Sequence, residues 1–512
     1  MKRKIKNLFK NAFFQITAVY AILLSIATLN FFSKYSMHFE IFALIIALFG
    51  IFIISEQKEE KLSSKRIHYF LIVLGVFLIA LFRVMPYINN SVPLGYDTGI
   101  YKYAIESFNA KGFGVENWVK EVISPGFLYL MKMLSFLPLQ FILIWLFIIF
   151  NLALGIAIYF CTKEYFGKNA AIIALLVYST SIVQFKVFTF MYYKNLIALT
   201  LMLFAFAFLK KEKRFLFIIF GALVGAVHLP TFFIFGLSYM LFTAYNYKQW
   251  KINLLSGFSM LALVALSYIG FFKEAVFPLI FPVLESFVSP GESPGTFINF
   301  STYQFSTLTY LPFAILGLFF LIKKREFNII FFLTIIGAII VYFQFFFFNR
   351  FIICLDIALI MLSSLGFCAI IKSKRNLGIS ILVIMLFLAS FSLAVESKNA
   401  KPLISQEQLS LIEKLNETEI NSSVISLSSN YSPWVLAYSK RRTIAPGLFE
   451  EDFWTREQWD VFWQTKDKNE TINLISVYSK PIYLFAGSQE FTNPCFIQYL
   501  EQNNNKIYKY IC

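Results

Sequence analysis

The sequence predicts a polytopic α-helical membrane protein of about thirteen transmembrane helices, followed by a small C-terminal extracytoplasmic α/β domain. Three observations lead to this fold class. The 512 residues are 58% hydrophobic and 14% charged, which lies outside the range of soluble globular domains. Apolar runs of spanning length recur along most of the chain, and the composition becomes polar after residue 396. We therefore expect a membrane domain over 1–395 and a soluble domain over 396–512.

The apolar runs give the candidate spans directly, although several are short. They lie at 11–31, 39–55, 68–88, 138–160, 169–185, 195–209, 215–227, 230–245, 253–272, 308–322, 327–347, 351–371 and 377–395. The two runs on either side of His228 could also form one bent helix. The charge pattern described next favours two separate crossings.

Short basic clusters determine the predicted orientation, because cytoplasmic connections carry an excess of Lys and Arg. The clusters lie at 2–10, 58–66, 163–168, 210–214, 248–251, 323–325 and 372–375. They occupy every second connection only if 215–245 crosses the membrane twice. The N-terminus is then cytoplasmic and the C-terminal domain extracytoplasmic. Asn-X-Ser/Thr sequons, at Asn89, Asn299, Asn416, Asn421, Asn430 and Asn469, all fall on the predicted outer side.

This topology excludes several classes of function. The net charge of +16 comes from clusters between apolar runs rather than from one basic face, which argues against nucleic acid as a partner. The predicted cytoplasmic loops are too short to form a nucleotide-binding domain, and no GxxxxGK[ST] motif occurs. The long predicted outer loops are 89–137 and 273–307. We therefore expect function on the outer face.

The first outer loop contains an acidic residue in the stretch "VPLGYDTGIYKYAIESFNAKG". Asp97 precedes Tyr101, Ile105 and Phe108, whose spacing predicts an amphipathic helix on the membrane surface. Asp97 could cap this helix through its carboxylate, or it could act chemically, and capping does not exclude catalysis. Glu106, farther along the same segment, is an additional acid and fits a solvated helix face equally well.

Several motifs occur in an order that resembles one superfamily. They are "GYD" in the first outer loop, "SPGFLYL" after it, then "YYKNLIALTLML", "GALVGAVHLPTFF" and a late "NRFIICLDIALIMLSSLGF". In this order they resemble the GT-C superfamily of multi-span glycosyltransferases, and most closely the dolichyl-phosphate-mannose protein mannosyltransferase-like group. The resemblance covers roughly residues 68–372. It implies an enzyme that takes a sugar from a polyprenyl-phosphate (dolichyl-phosphate) donor.

The resemblance implies a role for Asp97 as the acidic residue of the first outer loop, where many members carry Asp-Glu but this chain has Asp97-Thr98. The identity of a second acid is therefore open, with Glu106 and Glu292 as candidates. Arg350-Phe351 matches the Arg-aromatic pair of the late helix, although the prolines usual there are absent. Members of the family differ in metal use, so a divalent metal cofactor stays open. Histidine is scarce, and no Cys or His spacing indicates a dedicated metal site.

Glycosyl transfer to a hydroxyl explains why these residue types are needed. A carboxylate must take the acceptor proton, and cations must hold the developing charge on the leaving phosphate. Asp97 is the candidate base. Arg350, Lys194 and His228 are candidate phosphate-binding residues at the outer ends of spans. Arg350 and Lys194 could instead be interfacial anchors, and His228 could form a structural hydrogen bond between two helices.

These expectations lead to one functional hypothesis and two alternatives. The hypothesis is an outer-face glycosyltransferase that inverts the anomeric centre and transfers a hexose or pentose to a glycan, lipid, envelope polymer or protein. The alternatives are a transporter or flippase of lipid-linked glycans and a non-catalytic membrane scaffold. Asp356, buried deeper in the late helix, is expected to pair with another helix. Cys495 and Cys512, the only cysteines of the C-terminal domain, could form a disulfide.

Overall fold

A computed structural model describes residues 43–48, 50, 65–276, 297–345, 347–447 and 451–512. Within these ranges the chain forms a bundle of apolar helices that precedes a small mixed sheet. The first predicted span, part of the second and most of the second outer loop, which includes Glu292, lie outside the described residues.

The helices of the membrane domain match the apolar pattern of the sequence. They are α1 (Lys65–Val84), α2 (Asp97–Lys111), α3 (Asn117–Val122), α4 (Pro125–Met133), α5 (Leu139–Phe166), α6 (Lys168–Ser179), α7 (Ile182–Thr189), α8 (Tyr193–Lys210), α9 (Arg214–Val227), α10 (Leu229–Tyr245), α11 (Trp250–Ser267), α12 (Phe300–Thr307), α13 (Leu311–Lys324), α14 (Ile329–Tyr342), α15 (Ile352–Ser373) and α16 (Arg375–Asn399).

Six helices of the described residues, α1, α5, α8, α11, α15 and α16, are long and apolar enough to cross a membrane. Two further candidates are bent pairs, α6 with α7 and α12 with α13, and the shorter apolar helices are α9, α10 and α14. Every predicted span from 68–88 onwards thus corresponds to a helix or a bent pair. The protein is a multi-pass α-helical membrane protein, whereas the total of thirteen spans and the orientation stay predictions.

Three short helices, α2 to α4, follow α1 and lie at one end of the bundle. In α2 the predicted apolar face is buried, with Tyr101 at 1% exposure and Ile105 and Phe108 at 2%. Pro125 begins α4, where its missing N–H leaves no helical hydrogen bond unmade. Asp97 is the first residue of α2, so the packing of these helices determines where its side chain lies.

The C-terminal domain combines a sheet with helices on its faces. Its elements are α17 (Gln406–Lys414), β1 (Ser423–Ser426), α18 (Ser432–Tyr438), β2 (Arg442–Ile444), α19 (Arg456–Gln464), α20 (Lys468–Ile475), β3 (Ile482–Gly487), β4 (Phe496–Gln502) and β5 (Asn505–Tyr510). The strand order is β2-β1-β3-β5-β4. β1 pairs in parallel with β2 and β3, and β5 pairs antiparallel with β3 and β4. Ser405 and Thr455 begin α17 and α19 with complete capping boxes.

The cysteines divide as the sequence suggests. Cys495 and Cys512 are joined by a disulfide that closes the end of the C-terminal domain. Cys161, Cys354 and Cys368 are free and buried in the bundle, where they act as small apolar side chains.

The C-terminal domain packs directly on α2. A Cβ atom at Gly99 would overlap the carbonyl oxygen of Pro433 in α18, so only glycine permits this approach. Lys102, one turn farther along α2, donates a hydrogen bond to the Ala437 carbonyl at 3.0 Å, and its ammonium lies 4.5 Å from the centre of the Tyr438 ring. The helix that begins with Asp97 is therefore fixed from above by the C-terminal domain.

We expect Gly99→Ala to weaken this docking by about 1–3 kcal/mol, because the added methyl group forces α2 and α18 apart. Limited proteolysis of the connection between α16 and α17 would measure the loosening. Gly114→Ala is the matched control, since a Cβ atom there meets nothing within 4 Å. Equal protease resistance of the two variants would contradict the docking role of Gly99.

Candidate active site

Asp97 lies where α2 begins, against the loop between α7 and α8. Gly95, two residues earlier, has a φ of 80°, and a Cβ atom there would come within 2.6 Å of the Met191 Cβ atom. A side chain at position 95 would therefore push the two loops apart. Their close approach brings Asp97 to the "MYYKN" segment that contains Lys194.

The capping alternative for Asp97 is not supported by the helix geometry. The N-cap residue is Tyr96, and no side-chain hydrogen bond caps the helix. Asp97 is instead the first residue inside α2, where a negative charge interacts favourably with the helix N-terminus. Its carboxylate is therefore not used up by capping bonds.

Burial raises the pKa of Asp97 to about 6, and the charges of Lys194 and Arg350 oppose that rise. Two cations thus lie close enough to interact with this carboxylate. A carboxyl group with this pKa is mostly ionised at pH 7, yet it accepts a proton more readily than an ordinary aspartate. The electrostatic environment suits a general base.

Lys194 is held near Asp97 at the start of α8. Its ammonium donates a hydrogen bond to the Val122 carbonyl at 2.5 Å, which joins α8 to the end of α3. The side chain is therefore directed into the surface helices of the first loop. This contact differs from that of a lysine that serves only as an interfacial anchor, which would extend towards headgroups.

Arg350 lies in a single turn of 3₁₀ helix, Phe348–Arg350, just before α15. Its guanidinium carbon is 5.3 Å from the ring centre of Phe297 and 5.4 Å from that of Phe347. It also lines a cavity of about 440 Å³ whose other walls are apolar and include Pro230, Phe233, Met240 and Phe351. The cavity follows α10 along the bundle. The guanidinium of Arg350 thus lies on the wall of an otherwise apolar groove.

His228 separates α9 from α10 and caps the second of these helices. Its Nδ1 atom accepts a hydrogen bond from the Thr231 N–H at 3.3 Å and lies 2.8 Å from the Thr231 hydroxyl oxygen. Because Nδ1 is an acceptor, the proton of the neutral ring resides on Nε2. The charges of Lys194 and Arg350 act on this imidazole as well. The hydrogen bonds of His228 to Thr231 are thus local to the start of α10 and are not the predicted bond between two helices, while the ring also interacts electrostatically with the two cations.

Asp97, Lys194, Arg350 and His228 thus share one electrostatic neighbourhood. Glu106 does not join them. It follows Asp97 by nine residues, which places it on the opposite face of an ideal helix, and it forms an ion pair with Lys102 at 2.8 Å. Glu106 instead lines a cleft of about 680 Å³ between α2 and the C-terminal domain. Glu292, the other candidate second acid, lies outside the described residues.

Sequence reasoning overlooked Tyr192. This buried side chain interacts electrostatically with Asp97 and Arg350 and is hydrogen-bonded to the backbone of Ile298. Its ring centre lies 5.8 Å from that of Phe297. The aromatic pair before Lys194 in "MYYKN" was the available signal, since a tyrosine beside an interfacial lysine offers a hydroxyl at the same depth.

No group of three or more His, Cys, Asp and Glu side chains that could hold a metal ion occurs among the residues that the structure describes. Metal use stays as open as the sequence leaves it.

The architecture matches solved membrane enzymes. The oligosaccharyltransferase of Archaeoglobus fulgidus in its apo form superposes with a TM-score of 0.62 at 14% identity, covering 83% of this chain and 70% of that one. The ArnT structure from Cupriavidus metallidurans bound to undecaprenyl phosphate gives 0.59 at 10% identity, covering 87% and 98%. Both are GT-C glycosyltransferases. This chain has the GT-C fold.

No protein-family model and no curated protein sequence matches this chain. A third GT-C structure, AglB from Archaeoglobus fulgidus with an inhibitory peptide and dolichol-phosphate, has a TM-score of 0.59 at 14% identity over 82% of this chain and 69% of that one. The GT-C fold inferred from the ordered motifs is therefore confirmed, in a divergent sequence.

We expect Asp97→Asn to raise the free energy of unfolding at pH 7 by about 3 kcal/mol. The folded state holds the Asp97 pKa at about 6, above its unfolded value, so the folded carboxyl group resists ionisation. That stabilising protonation is present at low pH and is lost as pH rises through the folded pKa. The advantage of the amide should therefore be absent near pH 4 and complete above about pH 6.

Thermal unfolding of the purified protein in detergent at several pH values would measure this gain. Asp460→Asn, at an exposed position of α19, is the control. A gain of the same size at pH 4 and pH 7 would show that Asp97 is not held in an environment that opposes its charge.

Proposed function

We propose that this protein is a membrane glycosyltransferase that takes a sugar from a polyprenyl-phosphate donor and transfers it to a hydroxyl acceptor on the outer face. One observation carries the proposal: a carboxylate with a near-neutral pKa lies beside two cations, one of which lines an apolar groove. The acceptor could be a lipid-linked glycan, an envelope polymer or a protein.

The groove along α10 has the chemistry that a polyprenyl phosphate requires. Its walls are almost wholly apolar, as an isoprenoid chain demands, and Arg350 offers a guanidinium that can bind two phosphate oxygens. Lys194 adds a second positive charge, and the Nε2–H of His228 can donate a further hydrogen bond. The similar folds support this assignment, since one neighbour was solved with dolichol-phosphate and another with undecaprenyl phosphate.

The chemistry then follows as a single displacement. Asp97 takes the proton of the acceptor hydroxyl while the oxygen of that hydroxyl bonds to the anomeric carbon. The bond between that carbon and the phosphate oxygen breaks, and the electron pair leaves with the polyprenyl phosphate, where Arg350 and Lys194 stabilise the added charge. Attack from the face opposite the leaving group inverts the anomeric centre.

The orientation needed for this reaction places the N-terminus in the cytoplasm and the C-terminal domain outside. The disulfide between Cys495 and Cys512 supports this assignment, since disulfides persist in oxidising compartments. Under this orientation Asp97, Arg350 and the C-terminal domain all face the outer side of the membrane.

The deciding experiment measures sugar transfer by membranes that contain the wild type or Asp97→Asn. A panel of radiolabelled polyprenyl-phosphate sugars serves as donors and a native lipid extract as acceptor. We expect Asp97→Asn to lose at least about 100-fold in turnover, because general-base catalysis contributes roughly that much or more. Asp460→Asn should transfer at the wild-type rate. Equal transfer by Asp97→Asn and wild type would remove Asp97 as the base.

The pH dependence gives a separate prediction for the same site. Transfer by the wild type should rise with pH as Asp97 loses its proton and reach half of its plateau at about pH 6. In Arg350→Gln the loss of one positive charge should move this midpoint upwards, because the ionised form of Asp97 is then less stabilised and its pKa rises. An unchanged midpoint would show that the charge of Arg350 does not act on Asp97.

A second candidate function is transport of lipid-linked glycans. The two bent helix pairs, α6 with α7 at 53° and α12 with α13 at 76°, favour it, since broken helices form substrate sites in many transporters. A fluorescent lipid-linked sugar in liposomes would test it. Movement of that lipid between leaflets that persists in Asp97→Asn, without transfer by either protein, would favour transport.

A further inference from the structure

Asp356 is a fully buried carboxylate in the middle of the apolar bundle. It lies in α15, six residues after Arg350, with none of its side chain exposed. A charge at this depth is costly unless hydrogen bonds and opposite charge compensate for it. The partners of Asp356 therefore determine what it does.

Three side chains donate hydrogen bonds to this carboxylate. Oδ2 accepts from the Gln184 amide nitrogen at 2.6 Å and from the Ser181 hydroxyl at 3.5 Å. Oδ1 accepts from the Tyr310 hydroxyl. Both carboxylate oxygens are thus satisfied, as the sequence led us to expect when it predicted a partner on another helix.

The donors lie at the two places where the apolar helices are broken. Ser181 is the N-cap residue of α7, directly after the 53° bend that separates it from α6. Tyr310 is the N-cap residue of α13, directly after the 76° bend that separates it from α12. One carboxylate on a third, unbroken helix therefore joins both bends, and the positive ends of two helix dipoles favour its charge.

Arg83 provides a more distant positive charge on the same side of the bundle. Its guanidinium is fully buried and lies 5.4 Å from the ring centre of Tyr178. Within the described residues, its nitrogen atoms have no hydrogen-bond partner. The charges of Arg83 and Asp356 both act on Tyr178, so this residue interacts electrostatically with both buried ions.

The segments that leave these bends lead to the candidate active site. α7 continues through Tyr192 to Lys194, and α12 is preceded by Phe297, over which Arg350 lies. α7 and α12 contact each other and α15, and the rings of Tyr192 and Phe297 are in contact. The two segments that Asp356 joins at their bends thus meet near Arg350, through the contact between Tyr192 and Phe297.

We propose that Asp356 is a positioning residue that holds both helix bends in register and so sets the placement of Lys194 and Phe297 around Asp97 and Arg350. It touches no reacting atom. Its role as a determinant of catalysis rests on the proposed function, whereas its role in placing Lys194 and Phe297 does not.

The test compares three kinds of variant in the full-length protein. Asp356→Ala removes both acceptor oxygens, and Asp356→Asn keeps one oxygen and permits the Gln184 amide to turn and pair with the new amide. Tyr310→Phe removes a single hydroxyl from the cluster. Ser363→Ala, in the same helix, is the control because the Ser363 hydroxyl, among the residues that the structure describes, bonds only to the Ile360 carbonyl of α15, at 2.8 Å.

Two readouts distinguish positioning from simple stability. The first is the pH profile of transfer, whose midpoint depends on the charges of Lys194 and Arg350. The other titratable groups that interact with Asp97 are Tyr96, Tyr101 and Tyr192, which are neutral in this pH range. The second is binding of undecaprenyl phosphate to the purified protein, which needs no transfer. Both are measured on monodisperse protein, so that a variant's lower yield of folded protein does not affect the measured midpoint or affinity.

We expect Asp356→Ala to lower turnover at least tenfold, to move the pH midpoint upwards by half a unit or more as Lys194 shifts away, and to weaken undecaprenyl-phosphate binding at least fivefold. Asp356→Asn should recover most of each loss, and Ser363→Ala should match the wild type. If Asp356→Ala does not fold, Tyr310→Phe should show the same changes on a smaller scale.

Wild-type midpoint and binding in folded Asp356→Ala, or in Tyr310→Phe where the alanine variant does not fold, would overturn the positioning role. A wild type that binds undecaprenyl phosphate but transfers no sugar would instead count against the proposed function. In that case weaker binding by Asp356→Ala would still support positioning.

Discussion

The structure depends on keeping Asp97, Lys194 and Arg350 together where an apolar bundle ends. Each of these charges would be costly there alone, and their mutual attraction offsets part of that cost. The chain arranges this meeting through local devices rather than through one dedicated element. Gly95 permits two loops to touch, the bond from Lys194 to Val122 ties α8 to α3, and two phenylalanine rings cover the guanidinium of Arg350.

Much of the fold could be predicted because the membrane imposes a simple rule on sequence. A segment that crosses lipid must be apolar over its length, so α1, α5 and α8 to α11 are visible as runs. The bends were harder to predict. The break before α7 is formed by Thr180 and Ser181 without glycine or proline, whereas Pro312 at the start of α13 was a usable signal. In the C-terminal domain, the consecutive asparagines before β5 are a sequence signal for the hairpin turn that joins β4 to β5.

The candidate site was predictable in its residue types but not in its pairings. Depth at the outer end of a span and polar character selected Arg350, Lys194 and His228. Asp97 was selected by its place in the first outer loop and by the family resemblance. That Asp97 meets Lys194 depends on contact between loops about a hundred residues apart, for which a single sequence carries no signal. Glu106 could have been set aside from the sequence, since nine residues along a helix reverse its face. Tyr192 was missed because a tyrosine beside a lysine is also typical of an interfacial belt.

The close packing of α18 on Gly99 also defines what can be exchanged between proteins of this architecture. A domain boundary at residue 396 is natural in composition, yet the surface that receives the C-terminal domain belongs to α2, in the first outer loop. Grafting residues 396–512 onto another bundle would remove the C-terminal domain from the α2 surface on which it packs. A unit that can be exchanged between such proteins is therefore discontinuous in sequence, because it must include both the C-terminal domain and α2, the helix that begins at Asp97.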